Sequence, residues 1–342
     1  MKIKYKEIGK ECFIIAEAGV NHNGSLETAK KLVDAAVSAK ADAVKFQTYK
    51  SEEIVTDTAD MAEYQKKNIG KKESQYQMLK QLELKFEDFK ELKKYCDKKG
   101  IIFLSTPHTF SAVDFLNPLV PAFKISSPDL NNTPFLEIIA QKGKPIILST
   151  GMSTMEEIKR AVQTIENQGN KQIILLHCTT DYPCPLNDVN LKAMEKMKEL
   201  GYLVGYSDHT EGILVSVMAV AMGAVVIEKH MTIDKKLTGP DHIASSEPWE
   251  FEEMVTAIRD TQKALGSEIK KPSKNEEKIK KILRKSIVAG VDIPKGDVIT
   301  RDMLIIKRPG TGIPPYEIKN ITGKKTKNNI KKDQLLEYNM LQ

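Results

Sequence analysis

The stretch Leu203-Val204-Gly205-Tyr206-Ser207-Asp208-His209 and, one apolar segment later, Val225-Val226-Ile227-Glu228-Lys229-His230-Met231 decide how this chain folds. Each run is short, begins with apolar residues and ends polar, while Gly212 to Met222 between them is apolar at helical spacing. Strand, helix, strand is the unit of a parallel sheet. Working outward, the same texture recurs. Strands are predicted at Phe13–Gly19, Ala43–Thr48, Ile101–Pro107, Ala122–Ser126, Pro145–Gly151 and Ile173–Cys178, with helical patterns such as Leu26–Ser38, Phe86–Lys99, Thr154–Asn167, Leu191–Leu200 and Trp249–Leu265. Eight strands alternating with helices over about 250 residues predict a closed (β/α)8 TIM barrel of α/β class. An open nucleotide-binding sheet would need a glycine fingerprint after the first strand, and Gly19-Val20-Asn21-His22-Asn23-Gly24 lacks that spacing.

After Leu265 the composition changes. Of the 342 residues, 269–342 hold 18 basic and 8 acidic side chains, a balance of +10, against 34 and 38, or −4, for residues 1–268; the net +6 of the whole chain therefore belongs to its tail. The expected organisation is a barrel over 1–268, a charged linker over 269–281 and a small β-rich domain over 282–342. A basic tail can bind nucleic acid, but these lysines are not interleaved with aromatic residues, so no nucleic-acid partner is expected. The longest apolar stretch, Gly212 to Ile227, is shorter than the roughly 20 residues a bilayer span requires, which argues against a membrane partner. The first apolar run stops at Glu17 and makes no signal peptide, and Cys12, Cys96, Cys178 and Cys184 form no Cys-x-x-Cys pair. Reduced thiols and a cytoplasmic location are expected.

Barrel active sites form at the C-terminal ends of the strands. Here those ends are polar: Glu17, Lys45 and Gln47, Thr106, Lys124 and Ser126, Ser149, Thr180 and Tyr182, Ser207 and His209, Glu228 and His230. The pairs Lys45/Gln47, Lys124/Ser126, Ser207/His209 and Glu228/His230 have i, i+2 spacing, which places both members on one strand face. Two inward lysines among hydroxyls suit a small anion carrying phosphate and carboxylate; a single strand-end lysine can instead snorkel to solvent. His209 and His230 end adjacent strands and can share a divalent metal, with Glu17 close by because strand 1 closes beside strand 8. His22 is a weaker third ligand candidate, and His108 and His177 read as structural.

The motifs Ile15-Ala16-Glu17-Ala18-Gly19-Val20-Asn21-His22-Asn23-Gly24, Val44-Lys45-Phe46-Gln47, Leu148-Ser149-Thr150-Gly151-Met152, His177-Cys178-Thr179-Thr180, Tyr206-Ser207-Asp208-His209-Thr210, Glu228-Lys229-His230, Gly239-Pro240-Asp241-His242 and Lys307-Arg308-Pro309-Gly310 together resemble the sialic acid synthases. The resemblance spans essentially the whole chain. It implies a barrel followed by an antifreeze-like (SAF) domain, and a homodimer in which that domain caps the partner's barrel. It implies condensation of phosphoenolpyruvate with the open-chain aldehyde of an N-acylated amino sugar, with water addition, C–O cleavage and phosphate release. Carried over by motif, Lys45, Thr106, Lys124, Ser127, Ser149, Thr180 and Ser207 would hold phosphoenolpyruvate. Gln47, Asp129, Tyr182, Asp241 and the partner's Arg308 would contact the sugar. Glu17 would move a proton or activate water, and His209 and His230 would be catalytic as ligands of Mn2+, with Mg2+ or Co2+ as substitutes.

The leading expectation is N-acetylneuraminate synthesis from N-acetylmannosamine. The alternative is legionaminate or pseudaminate synthesis from a 2,4-diacetamido-2,4,6-trideoxyhexose. Ser127-Pro128-Asp129 stands where the family commonly has Ser-Gly-Glu, and Thr180 where some members have Asn; both departures touch substrate positions. A remoter alternative is a barrel aldolase using Lys45 or Lys124 as a Schiff base.

Overall fold

A computed structural model describes residues 1–70 and 74–342 of the chain, in two compact units, Met1–Gly266 and Ser267–Gln342. The first contains eight parallel strands: β1 (Phe13–Gly19), β2 (Ala43–Thr48), β3 (Ile102–Pro107), β4 (Phe123–Ile125), β5 (Ile146–Ser149), β6 (Ile173–His177), β7 (Leu203–Asp208) and β8 (Val226–His230). Their hydrogen-bonded order, β3-β2-β1-β8-β7-β6-β5-β4, sets the first strand beside the last and leaves an almost closed barrel with its seam between β3 and β4. Helices follow the strands in turn: α1 (Leu26–Ser38), α2 (Phe86–Lys99), α3 (Phe110–Leu116), α4 (Thr133–Gln141), α5 (Met155–Asn167), α6 (Ala193–Lys198), α7 (Leu214–Ala221) and α8 (Pro248–Leu265). The expected barrel is thus the observed one.

Local signals account for several helix starts. Ser25 caps α1 by accepting from Thr28 N, and Thr154 and Glu157 form a reciprocal capping box at the start of α5. Two apolar layers hold the barrel. The outer layer joins strands to helices, through residues such as Ile14, Val44, Phe103, Leu148 and Ile227. The inner layer fills the lower barrel with Phe13, Ile15, Ala43, Leu104, Ile147 and Leu176, closed below by Ile3 and Ile8 of an N-terminal hairpin. That filling leaves space only at the upper end, where the strands turn polar.

Among the described residues, three short helices, Ser51–Ile54, Glu63–Ile69 and Gln75–Leu82, interrupt the connection from β2 to α2. Val20, Tyr49, Met61, Met78 and Leu82 form a separate small core with them. Each is too short to show a clear apolar period, which is why sequence periodicity does not reveal them.

The second unit opens with α9 (Lys274–Leu283), capped by Ser273, which begins inside the segment read as a linker. It continues with β9 (Ser286–Ala289) antiparallel to β10 (Leu304–Lys307). Single bridges such as Ile293 with Ile330 and Thr326 with Leu341 tie the remaining turns around a core of Ile287, Ile299, Leu304, Ile321 and Leu336.

Candidate active site

A cavity of about 190 Å³ opens at the C-terminal ends of the barrel strands. Its floor is a group of buried charges. Glu17 and Lys45 are register partners on β1 and β2, and Lys45 Nζ lies 2.6 Å from Glu17 Oε2. Lys45 also donates to Thr106 Oγ1 of β3 at 2.9 Å. Across the barrel, Lys124 Nζ donates to Ser149 Oγ at 2.6 Å. Glu228 stands between the lysines, its Oε2 3.7 Å from Lys45 and its Oε1 3.6 Å from Lys124, and it accepts from Ser207 Oγ at 3.0 Å. Sequence reading placed Glu228 at a strand end without a role; its spacing two residues before His230 was the available signal.

These environments push the two carboxyls apart. Burial raises Glu17 to about 7, against the pull of Lys45 and the Gln47 amide that donates to its Oε1 at 3.1 Å. Burial also opposes ionisation of Glu228, but Lys124, Lys45 and the Ser207 hydroxyl together outweigh it and hold this carboxyl below its usual value. Burial lowers the Lys124 ammonium, partly offset by Glu228. One carboxyl readily carries a proton while its neighbour stays charged, a division of labour suited to acid–base chemistry.

His209 and His230 face each other across the cavity wall, ring centroids 5.6 Å apart, with Tyr182 packed 4.2 Å from the first and edge-on to the second. His209 Nδ1 donates to Thr179 O at 2.6 Å, so its Nε2 carries a lone pair, with Ser207 Oγ 3.5 Å away. His230 Nδ1 is buried without a hydrogen-bond partner, 3.8 Å from Asp241 Oδ2. Burial keeps both rings neutral, His209 near 4 and His230 well below its usual value. Neutral imidazoles with available nitrogens fit a divalent cation. Among the described residues no group of three or more His, Cys, Asp or Glu is arranged to hold one, so the protein's side chains offer two ligand nitrogens.

Ser127, Thr180, Tyr182 and Asp241 also line the cavity, and Thr180 Oγ1 is buried without a partner. Burial raises Asp241 to about 6. Two further residues expected at the sugar have partners of their own. Asp129 is outside the lining; it accepts from Ser126 Oγ at 2.6 Å and from Asn132 at 3.3 Å, and sits 3.8 Å from His108 Nδ1. Arg308 belongs to the second unit, exposed, its Nε donating to Leu283 O at 3.0 Å.

His22 does not line the cavity: its Nδ1 accepts from Gly24 N at 3.1 Å and its Nε2 is buried and unpartnered. His108, read as structural, does line it, as do Tyr64, Gln65, Met78, Leu79 and Leu82 from the inserted helices. The insert is tied down by Asn68 Nδ2 donating to Pro240 O at 2.7 Å, and Tyr64 packs 5.0 Å from Tyr182. The outer cavity is therefore largely apolar above a charged floor. No helix among the described residues is long and apolar enough to cross a membrane.

Comparison with known proteins joins this geometry to a family. Residues 32–270 match the NeuB family and residues 284–342 the SAF domain. The chain is 48% identical over 334 residues to N,N'-diacetyllegionaminic acid synthase of Legionella pneumophila, covering 96% of this chain and 94% of that protein. It is 39% identical over 330 residues to human N-acetylneuraminate-9-phosphate synthase, covering 95% and 91%. The crystal structure of N-acetylneuraminic acid (sialic acid) synthetase from Leptospira borgpetersenii superposes with a TM-score of 0.72 at 35% identity, covering 82% of this chain and 94% of that one. With the family match over most of the barrel and relatives aligned across nearly its full length, this chain belongs to the NeuB family of synthases and carries a SAF domain after its barrel.

Proposed function

We propose that this enzyme condenses phosphoenolpyruvate with the open-chain aldehyde of a 2,4-diacetamido-2,4,6-trideoxyhexose and releases a legionaminate-type nonulosonic acid and inorganic phosphate. The observation that carries the choice of acceptor is the higher identity to the diacetyllegionaminic acid synthase, 48%, than to the N-acetylneuraminate-9-phosphate synthase, 39%, over similar coverage. This reverses the order of the two sequence expectations, which put N-acetylmannosamine first. The apolar outer wall of Met78, Leu79, Leu82, Tyr64 and Pro240 agrees with it, since a 6-deoxy sugar with two acetamido groups presents methyls where N-acetylmannosamine presents hydroxyls.

Lys45 and Lys124, with Thr106, Ser127, Ser149, Thr180 and Ser207, hold the phosphate and carboxylate of phosphoenolpyruvate. C3 of phosphoenolpyruvate attacks the aldehyde carbon, water adds at C2, and the C2–O bond to phosphate breaks. Glu17, raised towards neutrality by burial, exchanges a proton at its carboxyl with the sugar oxygen or the water. His209 and His230 hold a divalent cation, Mn2+ in the first instance, which when bound supplies Lewis-acid polarisation of the aldehyde. Gln47, Tyr182 and Asp241 orient the sugar. Arg308 of a partner subunit completes the sugar site in a homodimer whose SAF domains cap the opposite barrels.

The test is a comparison of phosphate release and product mass with the two acceptors at saturating phosphoenolpyruvate and Mn2+. A higher kcat/KM for the diacetamido sugar is expected; a preference for N-acetylmannosamine overturns the acceptor assignment. Borohydride trapping checks the Schiff-base route, which a lowered Lys124 would favour, and no lysine adduct is expected.

A further inference from the structure

One ion pair of this barrel touches no part of the cavity. Lys229 and Asp208 are fully buried, register partners on β8 and β7, with Lys229 Nζ 3.0 Å from Asp208 Oδ2. Strand alternation explains their direction. Glu228 and Ser207, one residue earlier on each strand, line the cavity, so Lys229 and Asp208 project outward toward the helix layer.

The pair is fully used. Asp208 Oδ1 accepts from Thr210 N at 2.9 Å and from Thr210 Oγ1 at 2.8 Å, and Oδ2 accepts from Ser216 Oγ of α7 at 2.6 Å. Lys229 Nζ also donates to Thr210 O at 2.7 Å. The residues clamped are thus those on either side of His209, and the clamping ammonium comes from the residue immediately before His230. A buried ion pair contributes little net stability over an apolar pair of equal volume, so stability alone is a weak reason for it. Its geometric effect is specific: it ties together the backbones of the two strand ends that present the imidazoles.

We infer that the Asp208–Lys229 pair is a positioning device that fixes the separation of His209 and His230 and thereby sets the affinity of that histidine pair for a divalent cation. The inference rests on the metal-ligand reading of the two histidines given above. Asp208 and Lys229 touch neither substrate nor metal; they act through the backbone of residues 208–210 and 229–230.

The experiment is Mn2+ titration of the full-length, EDTA-treated protein, followed by the electron paramagnetic resonance of free Mn2+, together with thermal melts of the same samples. The variants are Asp208→Asn, the double variant Asp208→Asn with Lys229→Met, and Thr210→Val, with His209→Ala as reference. Removing the charge from Asp208 alone strands a buried ammonium and lowers the melting temperature; the double variant recovers much of that loss. Mn2+ affinity is expected to fall about 10- to 100-fold in both, the usual cost of disturbing groups that orient metal ligands, and to stay low in the double variant although its stability returns. Thr210→Val, which removes one hydroxyl, is expected to fold and to weaken Mn2+ binding to a smaller extent. Recovery of wild-type affinity along with stability in the double variant would mean the pair is structural only and overturns the proposal. So would unchanged affinity in Thr210→Val if the other two fail to fold. If His209→Ala binds Mn2+ like the wild type, the metal assignment itself falls, and the positioning role with it.

Discussion

Replacing Glu228 by Gln removes the one negative charge that lies between two buried lysines. At 3.6 and 3.7 Å, each lysine contact corresponds to a gross attraction of about 4–5 kcal/mol at an effective dielectric constant near 20. Breaking a buried pair by deleting one partner costs about 3–5 kcal/mol net. Lys45 keeps Glu17 at 2.6 Å, so the loss falls mainly on Lys124, and the lower end, about 3 kcal/mol, applies. For a unit of this size that is a fall in Tm of about 6–12 °C.

The pH dependence follows from Lys124. Burial already lowers its folded-state pKa and Glu228 raises it, so the substitution lowers it further. Between its lowered folded value and the unfolded lysine value the unfolded chain then binds more protons than the folded one, and stability rises with pH. The Tm deficit of the variant is therefore expected to be largest at neutral pH and to shrink as the pH rises towards the unfolded lysine value. Differential scanning fluorimetry across that range, with and without inorganic phosphate, measures both effects. Phosphate should stabilise the variant more than the wild type, because it restores negative charge to the lysines. A Tm unchanged at pH 7, or a deficit that grows with pH, would refute the idea that Glu228 balances the lysines.

Glu17→Gln is expected to lower kcat with little change in the KM for phosphoenolpyruvate, and to abolish a pH–rate inflection lying well above the ordinary carboxylate range; retention of that inflection assigns it to another group. Gly151→Ala drives a methyl into Thr180 Oγ1 and places it 2.9 Å from Ser127 Oγ and 3.1 Å from Cys178 Sγ, so three cavity side chains must shift. Its expected signature is a raised KM for phosphoenolpyruvate measured by phosphate release, and an unaltered KM would show that the phosphate does not use this wall. Arg308→Ala should raise the sugar KM more than the phosphoenolpyruvate KM. Equal effects on the two would count against a sugar contact from the partner subunit.

How much of this could be read from the chain differs from residue to residue. The i, i+2 pairs Lys45/Gln47, Ser207/His209 and Glu228/His230 were legible because strand alternation is a local property; knowing the strand is enough to know that both members share a face. All three pairs do line the cavity. Asp129 shows what motif position leaves out: its carboxylate accepts from Ser126 Oγ and Asn132 in a local turn beside the cavity residues Ser126 and His108, partners that only the folded chain reveals. The inserted helices were hidden for another reason: each has too few turns to print an apolar stripe, and each becomes stable only against Val20, Tyr49 and its neighbours.

The sequence by itself determined the order of strands and helices, the apolar lower and polar upper levels of the barrel, and the inward direction of its lysines and histidines. All of these follow from periodicity within single segments. Only the tertiary structure decided which charges meet. Glu228 on β8 lies between Lys45 on β2 and Lys124 on β4, residues far apart in the chain, because the strands curl into a nearly closed barrel that brings its far sides within reach of one side chain. The protonation of Glu17 and the neutrality of both histidines depend on that enclosure, since burial is the largest influence on each, while the charge on Glu228 is held against burial by the lysines the enclosure brings near it; no single segment encodes either effect.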